Sequence, residues 1–368
     1  MMISDEQIFN QVVNTINSYD DIMTDADLEF IEAFTNICND KWVTIRGNHI
    51  LIKDGETLAD AFKRITGKSL SKENKYKPAT KHKSSEAYSK ILQSVKESNN
   101  KKFTADEIIQ RASKTFKTSP EEISAKIKEA QDYADAIRKY GLETFNRHSK
   151  NHSYKEEREA LHKEIIDKIF ANKEKAKPKN GEKPKAVFLG GRGGSGKSKF
   201  GMPDKDNPAN LGLYNKENYI VLDADAIKEQ LPEYQGFNAY EVHEESSDIL
   251  NKAIQMARDE GLNVVLDATM KTLSSSERKI KSFADADYDI EMYYMHLPRE
   301  KAAERAIGRY MDKGTYNGRY VPLNEILDNM KHNEENFDIL KKYALKWAFY
   351  NNDVPTKDDS PILIDKNF

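Results

Sequence analysis

One cysteine, Cys38, in 368 residues leaves an internal disulfide without a second thiol, which makes a reducing cytoplasm the expected compartment. No stretch approaches the ~20 consecutive apolar residues needed to cross a bilayer, so no membrane partner is expected. Eight histidines and that single cysteine show no metal-ligand spacing, which argues against a zinc site. The opening Met1-Met2-Ile3-Ser4-Asp5-Glu6 lacks the basic-then-apolar order of a signal peptide. Charge of one sign is missing too: 58 Lys and Arg against 61 Asp and Glu leave a net charge of -3. That balance argues neither for nor against nucleic acid. The chain is long enough for two domains, or for one with a substantial extension.

Glycine is sparse, 17 in the whole chain, yet five crowd into the stretch Gly190-Gly191-Arg192-Gly193-Gly194-Ser195-Gly196-Lys197-Ser198. Gly191, Gly196, Lys197 and Ser198 fit G-x-x-x-x-G-K-[ST], the P-loop. The apolar run Val187-Phe188-Leu189 feeds it, as a strand should. Glycine lets the backbone turn sharply and bring its N–H groups against phosphate oxygens. A following helix would add its positive N-terminal end. Residues 191–198 are therefore the expected nucleotide-binding loop. Lys197 is placed to reach the terminal phosphates, and the Ser198 hydroxyl to ligate Mg²⁺.

Residues 1–70 read as a small α+β module. Ser4 caps a helix carrying Ile8, Val12 and Ile16, and Thr24 opens another. Trp42–Ile45 and Ile50–Ile52 flank a Gly47-Asn48 turn as a hairpin, and a helix runs from about Glu56 to Ile65. His49 reads as a turn residue. Residues 71–102 carry nine lysines against three glutamates with few apolar side chains, so a basic linker is expected. Residues 103–150 read as helical. Ser119-Pro120-Glu121-Glu122 starts a helix whose Ile123, Ile127, Ala130, Ala134 and Ile137 form one stripe, with Gly141 to end it.

A nucleotide-binding domain is expected over 151–368. After a helix from Lys155 to Ile169, the Pro/Gly connector at 173–181 leads into alternating strands and helices. The strand candidates are Ala186–Leu189, Tyr219–Leu222, Asn263–Leu266, Ile290–His296, Lys346–Tyr350 and Pro361–Ile364. Helical stretches lie between most of them, including Tyr240–Glu260 and Arg299–Asp312. That alternation implies an α/β fold, a mostly parallel sheet with helices on both faces, and ligands bound beyond the carboxyl ends of the strands. The chemistry should follow each strand directly. Strand two ends in Asp223-Ala224-Asp225, of which Asp225, further out of the sheet, is the better candidate to take a hydroxyl proton; the alternative is a helix cap. Strand three ends in Asp267-Ala268-Thr269-Met270-Lys271, where Asp267 could organise Mg²⁺ beside Thr269 and Lys271. Strand four leads to Arg299, Arg305, Arg309 and Arg319, guanidinium forks suited to the charge of a transferring phosphoryl group.

With these motifs in order, residues of about 155–352 resemble the zeta toxin family of P-loop kinases. The stretches that carry the resemblance are Glu157–His162, Leu189–Ser198, Asp223–Pro232, His243-Glu244, Asp267–Lys271, Gly308-Arg309-Tyr310 and Gly318-Arg319-Tyr320-Val321-Pro322. The resemblance implies transfer of the γ-phosphate of ATP or GTP, with Mg²⁺, to a hydroxyl of a small molecule. UDP-N-acetylglucosamine or a related nucleotide sugar comes first, ahead of a nucleoside, NAD or a nucleic-acid 5′-hydroxyl. It implies Asp225 as base, Lys197, Arg309 and Arg319 on the phosphates, and Asp223, His243, Glu244, Asp267, Thr269 and Lys271 near the acceptor. An antitoxin is an implied partner, and the helices between Phe103 and Arg147 could serve as an attached inhibitor. Three departures stand out. Asp267 and Lys271 replace the family's usual Glu and Arg, and Pro203 sits too close to Ser198 for a long helix, since proline inside a helix costs ~3 kcal/mol. A non-catalytic alternative is a phage-associated interaction protein, because the N-terminal hairpin faintly resembles such modules.

Overall fold

The computed structural model describes residues 42–45, 48–51, 64, 84–150, 153–179, 181–312, 318–356 and 358–368. The chain divides into two compact units, 1–77 and 78–368. In the first, β1 (Trp42–Ile45) and β2 (Asn48–Leu51) pair antiparallel as a hairpin. Asn48, expected in the turn, is instead paired with Ile45. The helices expected from Ser4, Thr24 and Glu56 lie outside the described residues, Arg64 excepted. So do Cys38, the side chain of His49 and residues 71–83.

The second unit opens with α1 (Glu86–Asn99), α2 (Ala105–Phe116) and α3 (Pro120–Tyr140). Each is capped as its sequence directs. Ser85 accepts from the Tyr88 N–H, Thr104 and Glu107 form a reciprocal capping box, and Ser119 accepts from Glu122 N–H ahead of Pro120. Gly141 closes α3 in the left-handed conformation. The short α4 (Thr144–His148), the two-residue strands β3 (Ser149–Lys150) and β4 (Ser153–Tyr154), α5 (Glu156–Ile169) and the single turn α6 (Lys173–Ala176) lead to the sheet.

Helix α1 corrects the expectation of a linker over the described part of that stretch, 84–102. Tyr88 is fully buried, edge-on to Phe349 at 4.8 Å between ring centroids, and its hydroxyl donates to Asp338 at 3.0 Å. Tyr88 and Val95, seven apart, share one helix face; a lysine-rich composition hid a helix whose few apolar residues are correctly spaced. Residues 103–150 likewise belong to the same unit as the sheet.

All six expected strands are present: β5 (Lys185–Gly190), β6 (Ile220–Leu222), β7 (Val264–Asp267), β8 (Asp289–His296), β9 (Lys346–Asn351) and β10 (Ile362–Lys366). Their order is β10-β9-β8-β5-β7-β6, parallel throughout except for antiparallel β10. The helices among them are α7 (Ala224–Lys228), α8 (His243–Asp259), α9 (Leu273–Asp285), α10 (Arg299–Met311) and α11 (Asn333–Leu340). Alternate residues of each strand enter opposite cores. Ala186, Phe188, Ile290, Met292, Tyr294, Trp347 and Phe349 join the larger core with α1, α5, α8, α9 and α11. Val187, Leu189, Tyr293, Met295, Ala348 and Tyr350 meet Phe200, Leu211, Leu213, Tyr214 and Tyr219 on the other face.

Register decides where chemistry collects. Leu189 pairs with Asp267, and Leu222 with Leu266, so the P-loop, Asp267 and Asp223 leave the sheet at one level on adjacent strands. Because α1 contributes Tyr88 to the core, Tyr88→Ala is expected to cost about 3–5 kcal/mol, read from urea unfolding. A solvated tether would lose almost nothing on the same change.

Candidate phosphate and acceptor site

Gly196 adopts φ +89°, and a Cβ there would collide with the Asn352 amide; Gly194 adopts φ +87°, and its Cβ would lie 2.5 Å from the Ala302 carbonyl oxygen. Only glycine fits either position. Asn352, fully buried, donates to Ser195 O at 2.8 Å and clamps the loop from the end of β9. The helix expected after the loop is only a 3-10 turn, Lys197–Phe200, as Pro203 foretold. Its few aligned peptides give little dipole, so the loop's own N–H groups and Lys197 must carry most of any phosphate binding. Lys197 Nζ donates to Gly191 O at 3.0 Å and lies 3.4 Å from Asp267 Oδ1.

Arg192 corrects its expected place among the phosphate contacts. Its side chain is buried and turned away from the loop, bonded twice to Glu334, once at 2.6 Å, and to Leu297 O at 3.3 Å. Burial opposes ionisation of Glu334, yet Arg192, then His296 at 2.8 Å, hold its carboxyl at about 2. Arg192 can offer its backbone to a phosphate, but its guanidinium anchors the loop to α11.

Three aspartates meet beyond the strands. Asp223 caps α7, accepting from Asp225 N–H at 2.8 Å. The cap thus falls to Asp223, which turns it toward backbone rather than an acceptor, and leaves the Asp225 side chain, in the first turn of α7, to other partners. Asp225 receives Lys228 Nζ at 3.2 Å and Arg319 Nη1 at 2.7 Å. Burial would raise its pKa, but Lys228 and Arg319 together hold it below the usual 3.8. Burial raises Asp223, with Asp225 adding to it. Asp267 is pushed up to about 6 by burial, against the pull of Lys197, with Asp223 and Asp225 adding to the rise. A cation beside Asp267 would offset part of that like-charge contribution.

Among the described residues no three His, Cys, Asp or Glu side chains converge as a metal cage. The donor set fits Mg²⁺ held by one or two protein oxygens with the rest from phosphates and water. Ser198, exposed at the loop, and Asp267 would be those two.

Other expected site residues divide. Arg309 faces the loop, its Nη2 3.8 Å from where a Cβ at Gly193 would lie. Lys271 is paired to Glu325 at 2.9 Å. Thr269 offers its hydroxyl locally to Lys271 N–H, and its carbonyl accepts from Asn333 at 2.6 Å. Asn336 donates to Met270 O and Lys271 O at 2.9 and 3.0 Å, holding Met270 at φ +58°. His243 is exposed at the start of α8; neighbouring protein, then the Lys228 ammonium, lower its pKa. Glu244 is exposed, and the buried acid is its neighbour Glu245, bonded to Arg158 and His162 behind the cleft. Arg305 points to Asn352 O at 3.2 Å rather than to the loop.

Sequence reasoning missed Lys228, Asn352, Glu334, Asn333 and Asn336. Lys228 carried a readable signal, a lysine three residues after an acid in a helix. Asn352 carried none, standing 157 residues from its partner Ser195.

The sequence model of the family described as zeta toxin matches residues 167–367, more than half of the chain. The chain belongs to the zeta toxin family. The curated Toxin zeta of Streptococcus agalactiae is 27% identical over 136 residues, 35% of this chain and 45% of that protein. The match therefore spans less than half of that relative's length. Among solved structures, a chain of the PezAT chromosomal toxin-antitoxin system of Streptococcus pneumoniae is 14% identical, with TM-score 0.43, covering 58% of this chain and 82% of its own. The AvrRxo1-ORF1:-ORF2 structure with ATP is 14% identical, with TM-score 0.46, covering 58% and 68%. In this zeta toxin family member, the matched region contains the P-loop, all three aspartates and both cleft arginines.

The raised Asp267 gives a signed pH effect. Between 3.8 and about 6 the folded chain holds a proton that the unfolded chain has lost, so stability falls as pH rises through that window. Asp267→Asn is expected to melt higher than the parent above pH ~6, with the gap closing toward pH ~4. Thermal unfolding across that range checks it.

Proposed function

We propose that this chain transfers the γ-phosphate of ATP, or of GTP, to a hydroxyl of a small molecule. The observation that carries the reading is Asp225, held as an anion between Lys228 and Arg319 at the mouth of a P-loop. A site for nucleotide binding alone needs no such carboxylate. Loop N–H groups and Lys197 would bind the phosphates, with Ser198 and Asp267 holding Mg²⁺, whose charge offsets that of the phosphate oxygens. Asp225 would orient the attacking hydroxyl and accept its proton. A carboxylate of low pKa suits this, because in a loose phosphoryl transition state the proton leaves late and orientation matters most. Arg319 would turn from Asp225 to the incoming γ-phosphate, and Arg309, facing Gly193, would neutralise charge from the opposite side.

The acceptor side carries Lys228, Lys271, His243 and Arg319. The Lys228 and Lys271 ammonium groups and the Arg319 guanidinium, held at rest by Asp225 and Glu325, support an acceptor whose own phosphates could take over those contacts, UDP-N-acetylglucosamine or a related nucleotide sugar. Asp267 and Lys271, where the family more often carries Glu and Arg, give this pocket one shorter acid and a point-charge cation. An antitoxin is the protein partner this reading implies.

Incubation with ATP, Mg²⁺ and UDP-N-acetylglucosamine, followed by ³¹P NMR, is expected to show a new phosphomonoester. Asp225→Asn should lower kcat at least ~100-fold with nucleotide binding retained, and Lys197→Ala should weaken nucleotide binding itself. ATP binding without transfer to any of the nucleotide-sugar, nucleoside, NAD or 5′-hydroxyl acceptors would overturn the reading.

A further inference from the structure

Both cleft arginines are followed directly by a tyrosine, and both tyrosines are held by the same helix. Tyr310 and Tyr320 are buried with ring centroids 5.2 Å apart, and they close over Ala130 of α3 in one apolar cluster. Tyr310 Oη donates to Lys126 O at 2.9 Å, and Tyr320 Oη donates to Gln131 Oε1 at 3.4 Å. Ala130 is wholly buried, so nothing larger than a methyl group fits beneath the two rings without moving them.

The same helix reaches the other wall of the cleft. Tyr133 donates to Glu241 at 2.8 Å and meets Phe237 edge-on at 5.1 Å, while Arg138 bonds Tyr240 at 3.2 Å. Tyr320 N–H in turn donates to Gly236 O at 3.3 Å. Helix α2 adds support beneath α10, where the Phe116 ring packs on Gly308 so closely that no Cβ would fit. Adjacent side chains in a helix point about 100° apart, so fixing the Tyr310 ring also fixes the direction of Arg309.

We propose that α3 is an intramolecular strut that positions Arg309 and Arg319 for phosphoryl transfer, with Ala130, Gln131 and Lys126 as positioning residues. This rests on the phosphotransfer reading above. Long guanidinium side chains lose much rotamer freedom when ordered, and a site in which that order is prepaid stabilises developing charge best. The strut gives the helices between Phe103 and Arg147 a role opposite in sign to that of an attached inhibitor: loosening them lowers activity instead of releasing it.

The test uses the full chain. Ala130→Leu is expected to lower kcat about 10- to 100-fold, the scale on which a misplacement near 1 Å acts, while the KM for ATP changes less than ~3-fold and the folded state persists. Gln131→Ala, which leaves the core intact, should lower kcat by a smaller factor in the same direction. In an Arg309→Ala/Arg319→Ala background the Ala130→Leu loss should shrink to ~2-fold, because both groups being positioned are gone. A merely structural role would leave the full factor in place. The strut is overturned if Ala130→Leu and Gln131→Ala fold and keep or raise kcat while Arg319→Ala is damaging. If the full chain binds ATP but transfers phosphate to none of the acceptors, it is the phosphotransfer reading that fails; if transfer occurs and Arg309→Ala and Arg319→Ala both keep full activity, the strut alone fails.

Discussion

Asp223 and Asp267, brought to one level by parallel register, and Asp225 in the first turn of α7 are carboxylates both buried and crowded, and the rest of the site is arranged around that cost. Asp223 and Asp267 rise in pKa, whereas Asp225 falls because Lys228 and Arg319 reach it directly. The cluster thus keeps one dependable anion beside two acids that gain from a cation or an ammonium. Lys197, lying 3.4 Å from Asp267 and 3.0 Å from the Gly191 carbonyl, supplies part of that compensation. Incoming phosphates would draw Lys197 and Arg319 away, and Mg²⁺ would replace the charge they withdraw. In the proposed reaction, the acceptor hydroxyl would approach beside Asp225.

Such a site works only if its cradle is rigid, and the cradle is tied from behind. Arg192 leaves the loop for Glu334 on α11, Glu334 also meets His296 at the end of β8, and Asn352 at the end of β9 holds Ser195. These ties compensate for the short 3-10 turn after the loop. A longer helix would have fixed Gly196–Ser198 by its own ladder; here strand ends and α11 do so. On the outer side, α2 and α3 pack against α10 and hold the tyrosines next to both arginines.

Much of this was legible because it is local. The P-loop, the acid after each of two strands, and the arginine-rich helix are short patterns with fixed spacing, and all six strands announce themselves by apolar runs. Pro203 also told correctly how little helix could follow the loop. What escaped was long-range or disguised. Helix α1 hides its two core residues, Tyr88 and Val95, among lysines and serines, so composition pointed to a tether. Arg192 sits inside a phosphate motif, and only its partner 142 residues away shows that its side chain serves the scaffold. Asn352, Asn333 and Asn336 are polar residues in unremarkable sequence, distinguished only by the backbone groups that the fold brings to them.

The most direct measurement of the central electrostatic claim is a side-chain carboxyl titration of Asp267 by ¹³C NMR in the nucleotide-free protein. The account predicts a midpoint near 6, set first by burial, and a partial downward shift in Asp223→Asn as one repelling carboxylate is removed. A midpoint already at the ordinary 3.8, unmoved by Asp223→Asn, would contradict it, because the three aspartates would then not share one site.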